Sequence, residues 1–408
     1  MAENLKPRDA AEVEQAIQWA IAGSKTLEIV GRASKRLIGR AAQWDMTLDL
    51  SGLSGVTFYE PAELVLSAKA GTPLSEIETL LAANGQELAF EPMDYGPLLG
   101  GAAGSATIGG VLSSNLSGPR RMKAGAARDH FLGVSAVSGR GEIFKSGGRV
   151  VKNVTGYDLC KLLAGSWGTL AAMTDVTVKT LPRAETERTV FVLGLDDAAV
   201  GKLMTAVMSS FADASAAAHL ASPLAERIAE TATAGGAVTA FRLEGVAPSV
   251  AHRQAVLEEL ARPYGRLGTF EEALSRTFWR GIRDATPFAA AGPAGARDVW
   301  RISTAPARGV EIGRALVERA QAEVLYDWAG GLIWVALPST DDAKSGFVRS
   351  IIADRGGHAT LIRAPAAVRA AVDVFEPVAP ALGALTKRVR ESFDPRGVLN
   401  PGRMWAGV

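Results

Sequence analysis

The sequence is poor in the residues that build covalent cross-links and metal centres. Its 408 residues include one cysteine, Cys160, and four widely spaced histidines, His130, His219, His252 and His358. A single cysteine excludes an intramolecular disulfide, and it is too few for an iron–sulfur cluster or a Cys-rich zinc site in this chain. The histidine spacing argues against a multi-histidine centre, so we expect no metal site. Redox chemistry would then require a bound organic cofactor.

An excess of charge of either sign is also missing. Lys and Arg total 44 against 43 Asp and Glu, a net charge of +1. The chain as a whole therefore has no excess of positive charge that would attract nucleic acid or an anionic membrane. Hydrophobic residues make up 48% and charged residues 21%, as in ordinary globular chains. The length exceeds what one hydrophobic core usually serves, so two or three domains are expected.

A long apolar run is missing as well. The longest uncharged stretch, 95–119, contains Pro97, Pro119 and many glycines and serines, which make a poor helix. The first residues carry charges and no apolar core typical of a signal peptide. We expect a soluble, cytoplasmic chain, and association with a membrane through other subunits stays open.

The first region opens with local helix and strand signals. Asp9 and Glu12 form a capping-box pattern that predicts a helix. A short apolar strand is predicted at 27–30. Further on, Thr72 and Pro73 have the N-cap and N1 pattern of a second helix. These signals indicate β-α units followed by a long glycine-rich tract.

We expect three regions, 1–182, 183–365 and 366–408. In the second, predicted strands alternate with helices, and strands at 324–328 and 332–337 are joined at two glycines in a hairpin pattern. An antiparallel sheet with helices on one face, an α+β layer, is the expected arrangement. The third region is an apolar helical stretch followed by a loop.

Glycine is concentrated in one tract. The 53 residues from Gly96 to Gly148 contain 13 of the 44 glycines. A low-complexity linker would also be glycine-rich. Apolar pairs such as Val111-Leu112 interrupt this tract, however, which favours backbone that turns tightly or approaches a ligand closely. The tract therefore predicts ligand contact.

A small loop after the first predicted strand could bind an anion. Gly31, Arg32, Ala33, Ser34 and Lys35 offer successive backbone N–H groups and one hydroxyl, an arrangement suited to a pyrophosphate. The sequence has neither a G-x-G-x-x-G motif after a strand nor a P-loop motif. Taken alone the loop is a weak signal, because its two cations could simply be solvated.

Six segments strengthen the prediction because they occur in a fixed order. They are T-I-G-G-V-L-S-S-N-L-S-G (107–118), G-A-A-R-D (125–129), V-K-N-V-T-G-Y-D-L (151–159), G-S-W-G-T-L (165–170), V-T-V-K-T-L-P (176–182) and F-D-P-R-G-V-L-N-P-G-R-M (393–404). This series resembles the FAD-binding domain of the vanillyl-alcohol-oxidase, or PCMH-type, flavoprotein family. The resemblance implies an α+β fold, with two α+β subdomains holding extended FAD and an α+β cap domain of antiparallel sheet with helices.

Five further segments narrow the resemblance. They are E-P-M-D-Y-G (91–96), L-S-G-P-R-R (116–121), F-W-R-G-I-R-D (278–284), Y-D-W-A-G-G-L-I-W (326–334) and G-G-H-A-T-L-I-R (356–363). They are similar to the FAD-binding subunits of bacterial glycolate oxidases. That likeness implies oxidation of glycolate to glyoxylate, or relay of its electrons, together with a second flavoprotein subunit and an iron–sulfur subunit.

The resemblance also implies the cofactor-binding residues. The pyrophosphate would lie on Gly31, Arg32, Ala33, Ser34 and Lys35. The ribityl and flavin side would be lined by Thr107, Gly109, Gly110, Ser113 and Asn115, with Gly156, Tyr157 and Asp158 further along, Val176 in the segment past the adenine, and Asn400 returning from the tail.

Catalysis on a 2-hydroxy acid requires a cation for the carboxylate and a base for the hydroxyl proton. Four arginines of the second region, Arg280, Arg283, Arg301 and Arg363, are candidates for the first role, and we select Arg301 and Arg363. His358 is the candidate base, because its reference pKa is near neutral. The alternatives are surface or interface charges for the four arginines and a hydrogen-bonded structural role for His358.

Two departures from relatives bear on independent catalysis. Trp167 stands where lactate-dehydrogenase-like relatives carry an acid, and the sequence has no E-H-G motif, whose histidine lies at the substrate in that branch. The loop 31–39 also has no histidine for covalent flavin attachment. Cys160 could in principle attach flavin, but it is more simply interpreted as a buried apolar thiol. We expect non-covalent FAD.

Three functions stay open: a glycolate-oxidising or electron-relaying subunit, a catalytically silent scaffold subunit, and a stand-alone 2-hydroxy-acid oxidase.

Overall fold

The computed structural model describes residues 3–149 and 156–407. Within them the strands are β1 (Glu3–Leu5), β2 (Leu27–Val30), β3 (Met46–Asp49), β4 (Val56–Glu60), β5 (Val65–Lys69), β6 (Gln86–Glu87), β7 (Phe131–Ser138), β8 (Ile143–Gly147), β9 (Ala171–Lys179), β10 (Leu181–Pro182), β11 (Thr186–Leu193), β12 (Ala216–Leu220), β13 (Val238–Gly245), β14 (Leu267–Phe270), β15 (Arg297–Ser303), β16 (Glu323–Asp327), β17 (Leu332–Pro338) and β18 (His358–Arg363). The helices are α1 (Ala10–Ala22), α2 (Leu74–Ala82), α3 (Ile108–Ser114), α4 (Arg121–Ala124), α5 (Ala127–His130), α6 (Leu159–Leu163), α7 (Asp197–Met208), α8 (Ser222–Ala225), α9 (Ala247–Ala261), α10 (Glu272–Arg283), α11 (Pro306–Ala320), α12 (Ser345–Ala353), α13 (Ala366–Ala371) and α14 (Pro380–Phe393).

Two sheets organise the first region. A parallel sheet has the order β1-β3-β2, and an antiparallel sheet has the order β4-β5-β9-β7-β8. Helix α1 buries Val13 and Ile17 in a core shared with β2 and β3. The C-terminal tail joins this core because Leu399 bridges to Leu27. The tail is thereby fixed against the strand that leads into the loop beginning at Gly31.

The two helix starts predicted from sequence have different outcomes. Asp9 is the N-cap of α1, as predicted, and its carboxylate accepts a hydrogen bond from the Glu12 backbone N–H. The Thr72 prediction is wrong by one position, since Pro73 precedes the first residue of α2 and has no side-chain cap. The Thr72 hydroxyl instead donates to the Lys69 carbonyl at 2.6 Å and so fixes the end of β5.

The second region is one antiparallel sheet of eight strands, in the order β14-β11-β13-β12-β16-β17-β15-β18. The predicted hairpin is confirmed: β16 and β17 pair antiparallel and are joined by the turn at 328–330. On one face, Val190 and Val192 of β11 lie in the core formed with α7 and α9. On the other face, Trp279 of α10 donates to the hydroxyl of Thr189 at 2.8 Å. Helices therefore cover both faces, and the expectation of a single covered face is wrong.

The face of this sheet that carries Thr189 also carries Arg242, which contacts the first region. Arg242 forms a bidentate pair with Glu91, at 2.7 and 3.0 Å. Burial alone would raise the pKa of Glu91, but the guanidiniums of Arg242 and Arg120 lower it to about 2. Removing one partner of such a buried pair is strongly destabilising, so these contacts hold the two regions in a defined relation. The proposed division at 182 and 365 stays a prediction.

None of the described helices is both long enough and apolar enough to cross a bilayer.

Candidate active site

A cleft that is open to solvent lies beside the loop that follows β2. Nine residues predicted from the sequence line it: Gly31, Arg32, Ala33, Ser34, Lys35, Thr107, Gly109, Gly110 and Ser113. Its far wall comes from Trp167, Gly168, Ala171 and Met173. The fold therefore brings together segments that are about 75 and 60 residues apart along the chain.

Close backbone packing explains two of the glycines. A Cβ atom on Gly31 would lie 2.5 Å from Oγ1 of Thr107, and one on Gly109 would lie 2.7 Å from the carbonyl oxygen of Ala70. Neither distance is compatible with a side chain. Glycine at these positions lets the loop and the start of α3 pack closely enough to form the cleft wall.

Lys35 is a buried cation without a carboxylate partner. Its side chain is 8% exposed, and its Nζ lies 3.3 Å from the hydroxyl of Ser34. No carboxylate of the described residues lies within ion-pair distance of it. Burial lowers the pKa of Lys35 to about 8, although the more distant Asp94 acts in the opposite direction. A buried ammonium of this kind is stabilised when an anion enters the cleft.

Arg403 supplies a second buried cation that our sequence reasoning missed. It is 5% exposed, donates to the Lys35 carbonyl at 3.0 Å, and its Nε has no hydrogen-bond partner in the described residues. Burial lowers its pKa to about 10. The basic residue at the end of the L-N-P-G-R-M segment was the available signal. Two buried cations and a glycine-lined wall fit the pyrophosphate of a dinucleotide such as FAD.

Five of the other predicted cofactor residues lie outside the lining of this cleft. Asn115 ends α3 and accepts a hydrogen bond from the Arg128 backbone N–H at 3.0 Å. Tyr157 is 91% exposed, and Asp158 caps α6 through the backbone N–H of Lys161. Gly156 precedes them with a positive φ of 81°, and Val176 is buried in β9. The start of the V-K-N-V-T-G-Y-D-L segment, residues 151–155, lies outside the described residues.

Asn400 acts on the cleft through its walls. It is fully buried, accepts a hydrogen bond from the Ile29 backbone N–H at 2.9 Å, and donates to the Trp167 carbonyl at 2.9 Å. Both of its neighbours line the cleft. The geometry thus gives Asn400 a positioning role, in which the tail ties β2 to the segment that carries Trp167.

Two of the three predicted catalytic residues lie on one face of the large sheet. Arg301 pairs with Trp334 of β17, and Ser303, two residues on, pairs with His358 of β18. Alternate residues of a strand share a face, so Arg301 and His358 project the same way. Tyr95 of the first region packs edge-on against Trp334, with ring centroids 5.9 Å apart. This face therefore meets the E-P-M-D-Y-G segment.

The charges around Arg301 and His358 favour the binding of an anion. The guanidinium of Arg301 has no hydrogen bond or ion pair in the described residues, and it stacks 5.0 Å from the Trp328 ring. Burial lowers its pKa, while Tyr95 acts in the opposite direction. His358 is exposed at the start of β18, yet the groups packed around it and the charge of Arg301 lower its pKa, which favours the neutral imidazole at pH 7. Asp327, buried nearby, has a pKa raised by burial to about 7.

The remaining arginine candidates have structural partners. Arg363, selected from the sequence as catalytic, donates from all its nitrogens to the main-chain carbonyls of Leu98, Phe288, Ala294 and Arg297, which leaves no donor for a substrate carboxylate. Arg283 is paired with Asp284 at 2.8 and 2.9 Å. Arg280 is exposed and donates weakly within α10. Arg363 is therefore corrected to a structural residue.

The described ranges 3–149 and 156–407 hold no group of three or more His, Cys, Asp or Glu side chains that could bind a metal ion.

Comparison with known proteins decides the family. A model of the FAD binding domain family matches residues 4–147. The glycolate oxidase subunit GlcE of Escherichia coli is 33% identical over 392 residues, which cover 96% of this chain and 95% of GlcE. The chain belongs to the GlcE family. Glycolate oxidase subunit GlcD of Bacillus subtilis is 42% identical over 88 residues, 22% of this chain and 19% of GlcD.

GlcE family membership makes the chain an FAD-binding chain of an oxidoreductase, as the motif series predicted. The solved structure of p-cresol methylhydroxylase with substrate bound has a TM-score of 0.74 at 11% identity, covering 98% of this chain and 88% of that one. At this identity the likeness concerns the fold alone. It confirms the predicted α+β class with a PCMH-type FAD-binding domain.

Proposed function

We propose that this GlcE family chain holds FAD non-covalently in the cleft beside Gly31–Lys35 and serves in a complex that oxidises glycolate or a close 2-hydroxy acid. The observation that carries the proposal is the pair of buried cations, Lys35 and Arg403, facing a glycine-lined wall. When bound, FAD would accept the two electrons of the oxidation. The division of labour with partner subunits follows from the name of the E. coli relative, which is a subunit.

The cleft residues have separate tasks in this proposal. Lys35 and Arg403 neutralise the pyrophosphate, and Ser34 contributes a hydroxyl beside Lys35. The Thr107 hydroxyl accepts from the Gly110 backbone N–H at 3.3 Å, which orders the start of α3 against the loop. Because these groups are already buried in one geometry, little ordering remains to be done when the cofactor binds.

Arg301 and His358 are proposed as the substrate residues. Arg301 would bind the carboxylate, since its planar donors match a carboxylate and have no partner in the described residues. His358 would accept the hydroxyl proton, since its lowered pKa keeps it neutral at pH 7. Trp328 stacks on the Arg301 guanidinium and Trp334 packs against Tyr95 of the first region, while His358 is exposed to solvent.

Non-covalent attachment has a direct test. No cysteine or histidine lines the cleft among the described residues, and Cys160 is buried with its Sγ 3.7 Å from the Ser146 carbonyl. Burial raises the pKa of that thiol to about 12, so it is a poor nucleophile. We expect acid precipitation of the purified protein to release all its flavin into the supernatant. Yellow colour that stays with the precipitate, or flavin fluorescence in a denaturing gel band, would contradict non-covalent binding.

Glycolate-dependent bleaching tests the catalytic assignment. We expect the chain to be yellow alone and to bleach with glycolate only when the second flavoprotein subunit and the iron–sulfur subunit are co-expressed. A colourless chain that refuses added FAD would favour the scaffold alternative, for which Trp167 in the cleft wall is the supporting feature. Rapid turnover by the chain alone would instead favour a stand-alone oxidase.

We place the complex in the cytoplasm, with any membrane contact made through its partners.

A further inference from the structure

Trp167 has an unusual backbone conformation in the wall of the cofactor cleft. Its φ is +54°, in the left-handed region that bulky residues rarely adopt. Two hydrogen bonds fix it there: its backbone N–H donates to the carbonyl of Ser113 at 2.9 Å, and its carbonyl accepts from Nδ2 of Asn400 at 2.9 Å. Such conformations persist where the surroundings enforce them, and they are concentrated at functional sites. The position of this indole therefore calls for a functional explanation.

The indole contacts Arg403, one of the two buried cations of the cleft. The guanidinium carbon of Arg403 lies 5.7 Å from the centroid of the Trp167 ring, within the range of a cation–π interaction. Phe375 meets the same indole in a T-shaped contact, with ring centroids 5.4 Å apart, and belongs to the hydrophobic core. The indole is therefore packed against the core and in contact with the guanidinium.

Arg403 has few other contacts. Its guanidinium donates to the Lys35 carbonyl at 3.0 Å, its buried Nε has no hydrogen-bond partner, and no carboxylate of residues 3–149 and 156–407 forms an ion pair with it. Burial lowers the pKa of Arg403, and Glu28, which acts in the opposite direction, already accepts from Nε of Arg36 at 2.9 Å. Within the described residues, the guanidinium is held by one carbonyl and one aromatic ring.

An aromatic ring suits a cation that has to bind phosphate. A carboxylate partner would neutralise the guanidinium and compete with phosphate oxygens for its donors. The face of an indole attracts a guanidinium electrostatically and leaves its charge in place. A side chain that is already held in one position also loses less conformational freedom when its anion binds. Trp167 can therefore prepare Arg403 for an anion without satisfying it.

We propose that Trp167 is a positioning residue for the cofactor, because its indole holds the charged Arg403 guanidinium in place for the FAD pyrophosphate. The inference rests on the proposed function, which places the pyrophosphate at Lys35 and Arg403. It gives a role to the indole that stands where relatives carry an acid. It also argues against the scaffold alternative, since a buried guanidinium without an acid is costly unless an anion binds beside it.

The test measures the Kd for FAD of FAD-free chains that differ at Trp167. Trp167→Leu and Trp167→Met should weaken binding about five- to 30-fold, the equivalent of about 1–2 kcal/mol, because the cation–π contact is lost. Trp167→Phe keeps an aromatic face and should recover most of the affinity. Trp405→Leu is the matched control, because Trp405 packs on Phe375 with ring centroids 6.4 Å apart but does not line the cofactor cleft. Its Kd should equal that of the parent, and cooperative thermal unfolding shows that each chain is folded.

Two further measurements tie the effect to Arg403. Arg403→Met should itself weaken FAD binding by about tenfold or more, since a charge-assisted hydrogen bond is lost. Adding Trp167→Leu to that variant should cause no further loss, because the indole acts through the guanidinium. ADP carries the pyrophosphate without the flavin ring, so Trp167→Leu should weaken the binding of ADP by the same factor as that of FAD.

The outcomes separate this inference from the proposed function. If the parent binds FAD and the folded Leu and Met variants bind it equally well, the positioning role is wrong and the proposed function stands. If the parent refuses FAD, the proposed function is wrong and the inference falls with it. A loss that is the same with and without Arg403, or a loss for FAD but not for ADP, would show that the indole acts on the cofactor directly. An equal loss in Trp405→Leu would show that the indole only supports the fold, and each of these three results would overturn the positioning role.

Discussion

Lys35→Met should remove most of the FAD from the protein while the fold remains intact. A charge-assisted hydrogen bond contributes roughly 1.5–3 kcal/mol, so the Kd for FAD should rise by about 10- to 150-fold. The FAD-free variant should be as stable as the parent or more so, because Lys35 is buried without a carboxylate partner in the described residues. Fluorescence titration with FAD and thermal unfolding of the FAD-free chains measure the two quantities. Loss of both affinity and Tm would point to a merely structural lysine.

The pH dependence sharpens the same prediction. Since burial lowers the pKa of Lys35 to about 8, the ammonium is lost as pH rises through that value, and affinity for an anionic cofactor should fall above it. In Lys35→Arg the charge persists, so affinity should stay level over the same interval. In the FAD-free parent, the unfolded chain binds more protons than the folded one between about pH 8 and 10.5, so this lysine makes the free energy of unfolding rise there. Lys35→Met should lack that contribution, and a parent affinity unchanged from pH 7 to 10 would contradict the assignment.

The cofactor cleft shows which features a sequence can predict. Gly31, Gly109 and Lys35 could be assigned because an ordered motif series leaves few alternatives, and the cleft does bring them together. Arg403 was missed because its position depends on the tail returning to β2 through Leu399, a contact 372 residues apart. The resemblance implied that the tail returns to the cofactor at Asn400, but it did not imply which neighbouring cation this return buries. Long-range contacts of this kind decide which cation of a basic motif is buried.

The arginines of the second region show the same limit of prediction from sequence. Arg301 and Arg363 were indistinguishable in sequence, since both lie in predicted strands with similar neighbours. The structure separates them by what surrounds each guanidinium: the main-chain carbonyls of Leu98, Phe288, Ala294 and Arg297 surround Arg363, whereas Arg301 stacks on the Trp328 ring. The helix on the second face of the sheet was likewise not predicted. The many charged residues of α10 obscure the apolar pattern of its buried side, which carries Phe278 and Trp279. The sequence pattern of one segment does not show which of its sides a neighbouring element will bury.

Arg301→Met should reduce kcat/KM for glycolate in the complex by roughly 30-fold or more, since truncating one partner of a buried charge pair typically costs 2–5 kcal/mol. The physical reason is that the guanidinium is the cation on the sheet face shared with His358, and it has no other partner in the described residues. Steady-state kinetics of the assembled complex measure the effect, which should fall mostly on KM if the carboxylate is held equally in the ground and transition states.

A matched control decides whether that loss is specific. Arg280→Met removes an exposed arginine whose contacts stay within α10, so its kinetics should equal those of the parent. Flavin content must be the same in both variants, because neither residue lines the cofactor cleft, and cooperative thermal unfolding of each shows that it is folded. The parent kcat/KM in folded Arg301→Met would remove Arg301 from the substrate site and favour a scaffold role for this face. A proportional loss with a non-ionic substrate analogue such as ethylene glycol would also contradict carboxylate binding, since the arginine would then act on the fold rather than on the anion.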